Sequence, residues 1–200
     1  GIDANVWFPK VRKHDGPIRF LHVDSGSPRK RGDFAEDAFR TAFGNNMNYE
    51  FTRKWSYTAQ TNKNWFDQEI LESHGEWKSG NIRYIKENMS LEELVNLFHY
   101  HDALIYPSEG EGFGLIPLQA LATGMPVIST GIWPSYEKYM GGNVIDSKLG
   151  ISPIVENYQR FGDVVLPDFD STVYHLKNVA ENIESQFDYF YNQIPEVIGR

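Results

Sequence analysis

Two carboxylates in a glycine-rich turn near the middle of the chain form a combination that suits the binding of hydroxyl groups or phosphates. Glu109 and Glu111 alternate with glycines, and Gly112 and Gly114 follow them. A carboxylate accepts hydrogen bonds from two hydroxyl groups, whereas backbone amides at the start of a helix donate to an anion. Glycine lets a ligand approach the backbone closely because it has no Cβ. We therefore predict that this turn faces an anion or a sugar hydroxyl.

A second candidate for binding an anion is the basic turn that follows the first predicted strand. Arg29, Lys30 and Arg31 are three of only 19 basic residues in a chain of net charge -8. Open α/β sheets place their ligands at the ends of such strands, and a diphosphate requires cations and backbone donors there. The alternative interpretation is a solvated basic turn without a ligand.

The elements around these two turns are predicted to alternate between strand and helix. Strands are predicted at 18–23, 49–53, 81–85, 103–106 and 127–129, with short ones at 143–146 and 163–166. Helices are predicted from Asp33, as the N-cap, to Gly44, and at 65–73, 90–98, 112–122, 134–140 and 171–193, the last with an aromatic face. Ser90 and Glu93 have the spacing of a capping box. This order predicts an α/β fold, a Rossmann-like parallel sheet with helices on both faces, formed by residues 1–200 as a single domain.

Two segments resemble those of a known family. The run Glu111-Gly-Phe-Gly-Leu-Ile-Pro-Leu-Gln-Ala-Leu-Ala-Thr-Gly-Met-Pro-Val-Ile128 resembles E-G-F-G-L-x-x-L-E-A-M-A-x-G-x-P-V-I, the signature of retaining GT-B-type glycosyltransferases (glycosyl transferases group 1). The opening run Gly1-Ile-Asp-Ala-Asn-Val-Trp-Phe-Pro9 is similar to the start of that family's second domain, G-V-D-x-x-x-F-x-P. The main departure is Gln119, where the family has Glu. The resemblance extends to the final helix and implies the carboxy-terminal half of a GT-B fold without its amino-terminal acceptor domain.

The resemblance implies a donor-binding domain for a nucleotide-diphosphate sugar, which the complete enzyme transfers to an unknown acceptor with retention. It assigns Glu111 to the sugar, Gln119 to the ribose, and a basic residue before Gly32 to the phosphates, with Arg31 as the best match and Lys30 as the alternative. The implied catalytic residues are Arg31, Lys30 and Glu111. The implied donor-binding residues are Ser25, Gly26, Arg31, Ile85, Glu111, Gly112, Phe113, Gly114, Leu115 and Gln119. This half alone is expected to bind the donor but to transfer poorly.

Composition limits the remaining possibilities. The chain contains no Cys, which excludes disulfides and thiolate metal sites and favours a cytoplasmic location, with peripheral membrane attachment through the missing domain as the alternative. It contains no apolar run long enough to span a membrane, and its acidity argues against a nucleic-acid surface.

Asp168 and Asp170 have the spacing of a metal-binding D-x-D pair, but they precede a helix, which favours capping. His99 and His101 do not share a helix face. We therefore expect neither metal nor cofactor besides the substrate.

Two other functions remain open from the sequence. One is a non-catalytic nucleotide-sugar-binding module, in which Gln119 marks lost activity, and the other is half of a nucleotide-sugar epimerase. A dinucleotide oxidoreductase is disfavoured, because 110–114 lacks the G-x-G-x-x-G spacing and does not follow the first strand.

Overall fold

The computed structural model describes residues 2–56, 75–131, 136–151, 155–156, 159–160 and 163–199. Seven strands form one sheet in the order β3-β4-β2-β1-β5-β6-β7. The strands are β1 Ile18–Asp24, β2 Tyr49–Trp55, β3 Gly75–Ser79, β4 Ile82–Lys86, β5 Ala103–Tyr106, β6 Val127–Thr130 and β7 Val144–Ile145. Neighbouring strands pair in parallel except β3 and β4, which are antiparallel. The parallel strands therefore end at a common edge.

Five helices are described around this sheet. They are α1 Gly32–Phe43, α2 Leu91–Tyr100, α3 Leu115–Ala122, α4 Phe169–Glu181 and α5 Ile183–Val197, with short 3₁₀ turns at Pro28–Lys30 and Glu137–Tyr139. Within the ranges given above, each helix is too short or too polar to cross a membrane.

Alternate residues of the central strands send their side chains to opposite faces of the sheet. On one face, Leu21 of β1 belongs to a buried cluster with Phe98 of α2 and the apolar residues of α3. On the other face, Phe20 packs in a second cluster with Phe39 of α1 and Leu176 of α4. The prediction of a Rossmann-like parallel sheet covered on both faces is confirmed.

All seven predicted strands are confirmed to within two residues, but four described strands were not predicted. They are the edge strand β3, β8 Ser147–Ile151, and the two short strands β9 Val155–Glu156 and β10 Gln159–Arg160. β8 pairs antiparallel with β11 Asp163–Pro167, outside the main sheet, and a smaller hairpin joins β9 to β10. The predicted helix at 65–73 and the first part of that at 134–140 lie outside the described residues.

The prediction of one long final helix at 171–193 is wrong. Asn182 leaves the helical conformation, with φ -118° and ψ 25°, and separates α4 from α5. Its side-chain amide donates to the carbonyl oxygen of Asn178 at 2.9 Å, which competes with the helical hydrogen bonds. The expected aromatic face is also divided, because Phe187 is buried whereas Tyr174 and Tyr191 are exposed.

Helix starts differ in how well local sequence predicts them. Ser90 and Glu93 form the predicted capping box, with both reciprocal hydrogen bonds present. Asp168 caps α4 by accepting from the Ser171 amide at 2.8 Å, as predicted. The prediction that Asp33 caps α1 is wrong. The N-cap is Arg31 in a left-handed conformation, and the carboxylate of Asp33 pairs instead with Arg53.

We predict that Asp168→Ala lowers the free energy of unfolding by about 1 kcal/mol, the usual effect of losing an N-cap side chain. Asp170→Ala, which removes the same charge from the first turn of α4, serves as the control and should cost less. Urea denaturation measures both. If the two aspartates instead formed a metal-binding pair, both variants would abolish the same stabilisation by added Mn²⁺.

Candidate functional site

A cavity of about 380 Å³ opens at the carboxyl edge of the parallel strands. Its walls come from the ends of β1, β2 and β5, from α2, and from the turn that leads into α3. The polar side chains that line it are Asp24, Ser25, Lys30, Lys54, Ser56, Tyr106 and Glu111. The basic turn after β1 and the glycine-rich turn after β5 thus meet at one place, although they are far apart in sequence.

The structure brings only part of the predicted donor-binding set to the cavity wall. From that set, Ser25, Glu111, Phe113, Gly114 and Leu115 line it, whereas Gly26, Arg31, Ile85, Gly112 and Gln119 do not. Lys30, which was predicted as a catalytic residue, lines it as well. Ile85 is fully buried in the core, so only its backbone is available to a ligand. The Gln119 Oε1 atom is buried and has no hydrogen-bond partner among the described residues.

Lys30 is the cation of the basic turn that reaches the cavity. Its ammonium forms an ion pair with the carboxylate of Glu111 and lies 5.4 Å from the centre of the Tyr106 ring. Burial lowers the pKa of Lys30 below its ordinary value, although the hydrogen bond with Glu111 acts in the opposite direction. A partly desolvated ammonium interacts strongly with any anion that enters.

Arg31 occupies a different environment from Lys30. Its guanidinium lies 3.4 Å from the carboxylate of Glu109, which is fully buried, and 5.1 Å from the centre of the Phe34 ring. The two cations that sequence alone left as alternatives for the phosphates therefore diverge, one toward the cavity and one away from it.

Lys54 is a functional candidate that the sequence analysis missed. It is almost fully buried near the end of β2, lines the cavity, and donates to the Ser56 hydroxyl at 2.9 Å. Burial lowers the pKa of Lys54, while the nearby charge of Asp24 acts to raise it. The predicted strand ended at residue 53. The strand continues beside β1, where Lys54 pairs with Val23, and this brings the lysine to the carboxyl edge of the sheet, where the cavity opens.

Asp24 shapes the start of the basic turn. Its carboxylate accepts a hydrogen bond from the Gly26 amide and lies 2.8 Å from Nε2 of His22, whose Nδ1 is 2.9 Å from the carbonyl oxygen of Ile105. Burial alone would raise the pKa of Asp24, but the hydrogen bonds with His22 and Gly26 outweigh it and lower the pKa. His22 is fully buried and belongs to the interior of the sheet.

The glycine-rich turn ends in a helix start that opens toward the cavity. Gly114 is the N-cap of α3 with φ 76°, and the first two helical residues, Leu115 and Ile116, also line the cavity. A Cβ on Gly114 would lie 2.2 Å from the Tyr136 ring, so only glycine fits. The amino end of a helix carries a partial positive charge that favours anions.

The two histidines considered as metal ligands have structural roles. Both ring nitrogens of His101 are hydrogen-bonded, to the Leu97 carbonyl oxygen and the Thr52 hydroxyl, each at 2.7 Å. Burial lowers the pKa of His101 to about 3. His99 packs against the ring of Phe8. In the part of the chain that the structure describes, no three side chains of His, Asp or Glu converge as a metal site would require.

A Rossmann-like domain with its cavity at this edge is typical of the α/β proteins that bind a ligand at the carboxyl ends of parallel strands. The sequence pattern of the family described as glycosyl transferases group 1 matches residues 3–145, which is more than half of the chain. The chain belongs to this family.

Two known proteins each resemble a limited part of the chain. D-inositol 3-phosphate glycosyltransferase of Corynebacterium urealyticum is 43% identical over 51 residues, covering 26% of this chain and 12% of that enzyme. The O-antigen chain mannosyltransferase RfbU of Salmonella typhimurium is 31% identical over 80 residues, covering 38% of this chain and 23% of that enzyme. The chain thus matches less than a quarter of either relative.

The structural match is more extensive. The C-terminal domain of the glycosyl transferase group 1 family protein LpcC from Francisella tularensis aligns with a TM-score of 0.65 at 18% identity. The alignment covers 100% of this chain and 98% of that domain. At this identity the match establishes the shared fold.

We predict that Gly114→Ala destabilises the protein by about 1–3 kcal/mol, because the new methyl group meets the Tyr136 ring at a backbone conformation that alanine tolerates poorly. Gly112→Ala is the matched control. A Cβ there meets nothing within 4 Å. Thermal unfolding of both variants checks the difference, and equal melting temperatures would contradict the close packing.

Proposed function

We propose that this chain binds the nucleotide-diphosphate sugar donor of a retaining glycosyltransferase. The observation that carries the proposal is the convergence of Lys30, Lys54 and Glu111 in one cavity beside the amino end of α3. Two cations and a helix start suit a diphosphate, and a carboxylate suits sugar hydroxyls. Family membership supports the same assignment. The proposal also includes transfer of the sugar to an acceptor by the complete protein, and a cytoplasmic location for that protein.

The diphosphate is assigned to the two buried lysines. Burial lowers the pKa values of Lys30 and Lys54, because it disfavours their charged forms. A bound dianion would stabilise both positive charges. This binding requires no metal ion, because the lysine charges and the helix amides balance the phosphates.

The sugar is assigned to Glu111, and entry of the donor is expected to exchange partners within the cavity. Without ligand, Glu111 is paired with Lys30. A phosphate would take over the ammonium, and sugar hydroxyls would donate to the carboxylate that is released. Gln119 is assigned to the ribose and the backbone at Ile85 to the base.

The chemistry at this site is electrostatic. As the bond between the sugar and the diphosphate breaks, negative charge grows on the leaving phosphate, and a preorganised ammonium stabilises that charge. We expect no covalent nucleophile from this half and little transfer until the acceptor half closes over the cavity.

Calorimetry with uridine, guanosine and adenosine diphosphates and their hexose conjugates tests the function, with and without a chelator. Binding of at least one ligand, unchanged by the chelator, is expected. Failure of every ligand to bind would overturn the donor-binding proposal, and loss of binding on chelation would overturn the metal-free part. NMR of the anomeric proton in the product of the full-length protein tests retention.

Replacing Lys54 is predicted to weaken binding without weakening the fold. Lys54→Met should lower the affinity for the bound nucleoside diphosphate about tenfold, the effect of losing one charge-assisted contact. Because the folded-state pKa of Lys54 is lowered, its charge opposes folding from neutral pH up toward its unfolded pKa, and the melting temperature should not fall. Calorimetry and thermal unfolding measure the two effects. A large drop in melting temperature would make Lys54 structural instead.

Glu111→Ala should distinguish the sugar from the diphosphate. The variant loses an acceptor for sugar hydroxyls, but it also frees Lys30, so affinity for the bare diphosphate should stay the same or rise. Affinity for the sugar nucleotide should fall. Gln119→Ala is the control and should weaken both ligands alike, because both contain the ribose. Equal losses for both ligands in Glu111→Ala would show that Glu111 does not address the sugar.

A further inference from the structure

We propose that Arg31 and Glu109 form a positioning pair that holds Lys30 in the cavity, and that Arg31 acts on the phosphates only through Lys30. This inference rests on the proposed donor site and adds to it a residue, Glu109, that lies outside the family signature. It also gives Arg31 a role other than direct contact with phosphate.

The basic turn is joined to the glycine-rich turn residue by residue. Each of the three consecutive basic side chains reaches a different member of the segment 109–111. The pairs are Arg29 to the Gly110 carbonyl oxygen, Lys30 to the Glu111 carboxylate, and Arg31 to the Glu109 carboxylate. A backbone hydrogen bond of 2.9 Å from the Glu109 amide to the Arg29 carbonyl oxygen completes the junction. The position of Lys30 therefore depends on contacts on both sides of it.

The backbone at Arg31 is held in an unfavourable conformation. Its φ of 60° and ψ of 37° are left-handed, and among the described residues it alone has a positive φ without being glycine. An L-residue with a Cβ adopts this region only when surrounding contacts compensate. The ion pair with Glu109 and the Phe34 ring near the guanidinium are side-chain contacts of this kind.

Glu109 is anchored in the interior and keeps Arg31 with it. The residue is fully buried, and its carbonyl oxygen accepts from the Val165 amide at 2.9 Å, which ties it to β11. Moving the guanidinium of Arg31 to a ligand phosphate would break its ion pair with this fully buried carboxylate. Arg31 is therefore better suited to hold the turn than to leave it.

The left-handed residue also explains why neighbouring cations point to different places. Lys30 reaches Glu111 on the cavity wall, whereas Arg31 reaches Glu109, which does not line the cavity. Without the Arg31–Glu109 contact, fewer interactions oppose the strain of the left-handed conformation, so we expect the Lys30 ammonium to leave the buried position beside Glu111.

A binding experiment on two backgrounds separates positioning from direct contact. Arg31→Ala and Glu109→Gln should each weaken nucleoside diphosphate binding several-fold. On a Lys30→Met background, Arg31→Ala should cause no further loss, because its effect passes through Lys30. A further loss on that background, or unchanged binding in Glu109→Gln, would make Arg31 a direct phosphate ligand and overturn the inference.

A second readout needs no ligand. NMR titration of Lys30 after ¹³C reductive methylation reports the environment of its amine. Arg31→Ala removes a positive charge and Glu109→Gln a negative one, so simple electrostatics would shift the Lys30 titration in opposite directions. Loss of positioning should shift it in the same direction in both variants, toward an ordinary lysine. Opposite shifts, or none, would overturn the inference even if the protein binds no diphosphate, whereas absence of binding in the wild type overturns only the donor site.

Three further variants control for folding and charge. Arg31→Gly can keep the left-handed backbone without the ion pair, so it should fold and hold Lys30 closer to its wild-type position than Arg31→Ala does. Arg31→Lys keeps the positive charge and should restore part of the binding. Arg83→Ala removes an equal charge from an ion pair with Glu76, between β3 and β4, and should leave the Lys30 titration unchanged. A Lys30 titration that shifts as far in Arg31→Gly as in Arg31→Ala would count against the left-handed backbone as the means of positioning.

Discussion

The site depends on the junction between the basic turn and the glycine-rich turn, where the ion pair between Lys30 and Glu111 joins segments that lie 81 residues apart in sequence. Each turn follows a strand of the parallel sheet, and parallel strands bring their carboxyl ends to one edge. The pair lies against the Tyr106 ring, where water is partly excluded and electrostatic attraction is stronger than at the surface. In the proposed function, the phosphates of the donor would bind Lys30 and the sugar hydroxyls would bind Glu111.

Charge buried at this edge carries a cost that a ligand can relieve. Burial lowers the pKa of both Lys30 and Lys54, so the folded chain holds these protons less tightly than the unfolded chain does. The acidic partners Asp24 and Glu111 offset part of this effect. A site of this kind is less stable than an apolar one of equal size, which is a common compromise at functional sites.

Sequence reasoning succeeded where local pattern and tertiary environment agree. Continuous apolar runs such as 103–106 identify central strands, because a parallel sheet is buried on both faces. It failed at the sheet margins. The strands β3 and β8 have mostly half-exposed or exposed residues, so no apolar run marks them. The break at Asn182 was hidden because the helical pattern continues on both sides of it.

The sequence by itself determined the fold, the family, and the segment that carries Glu111 and Gly114, because these depend on spacing within short stretches. Only the tertiary structure decided which cation faces the cavity. Lys30 and Arg31 are neighbours of the same charge, and their divergence depends on a left-handed residue and on a buried carboxylate 78 positions away, Glu109. Lys54 could likewise be recognised as a cavity residue only from the pairing of β2 with β1. Contacts between distant segments set these positions, and no local pattern encodes them.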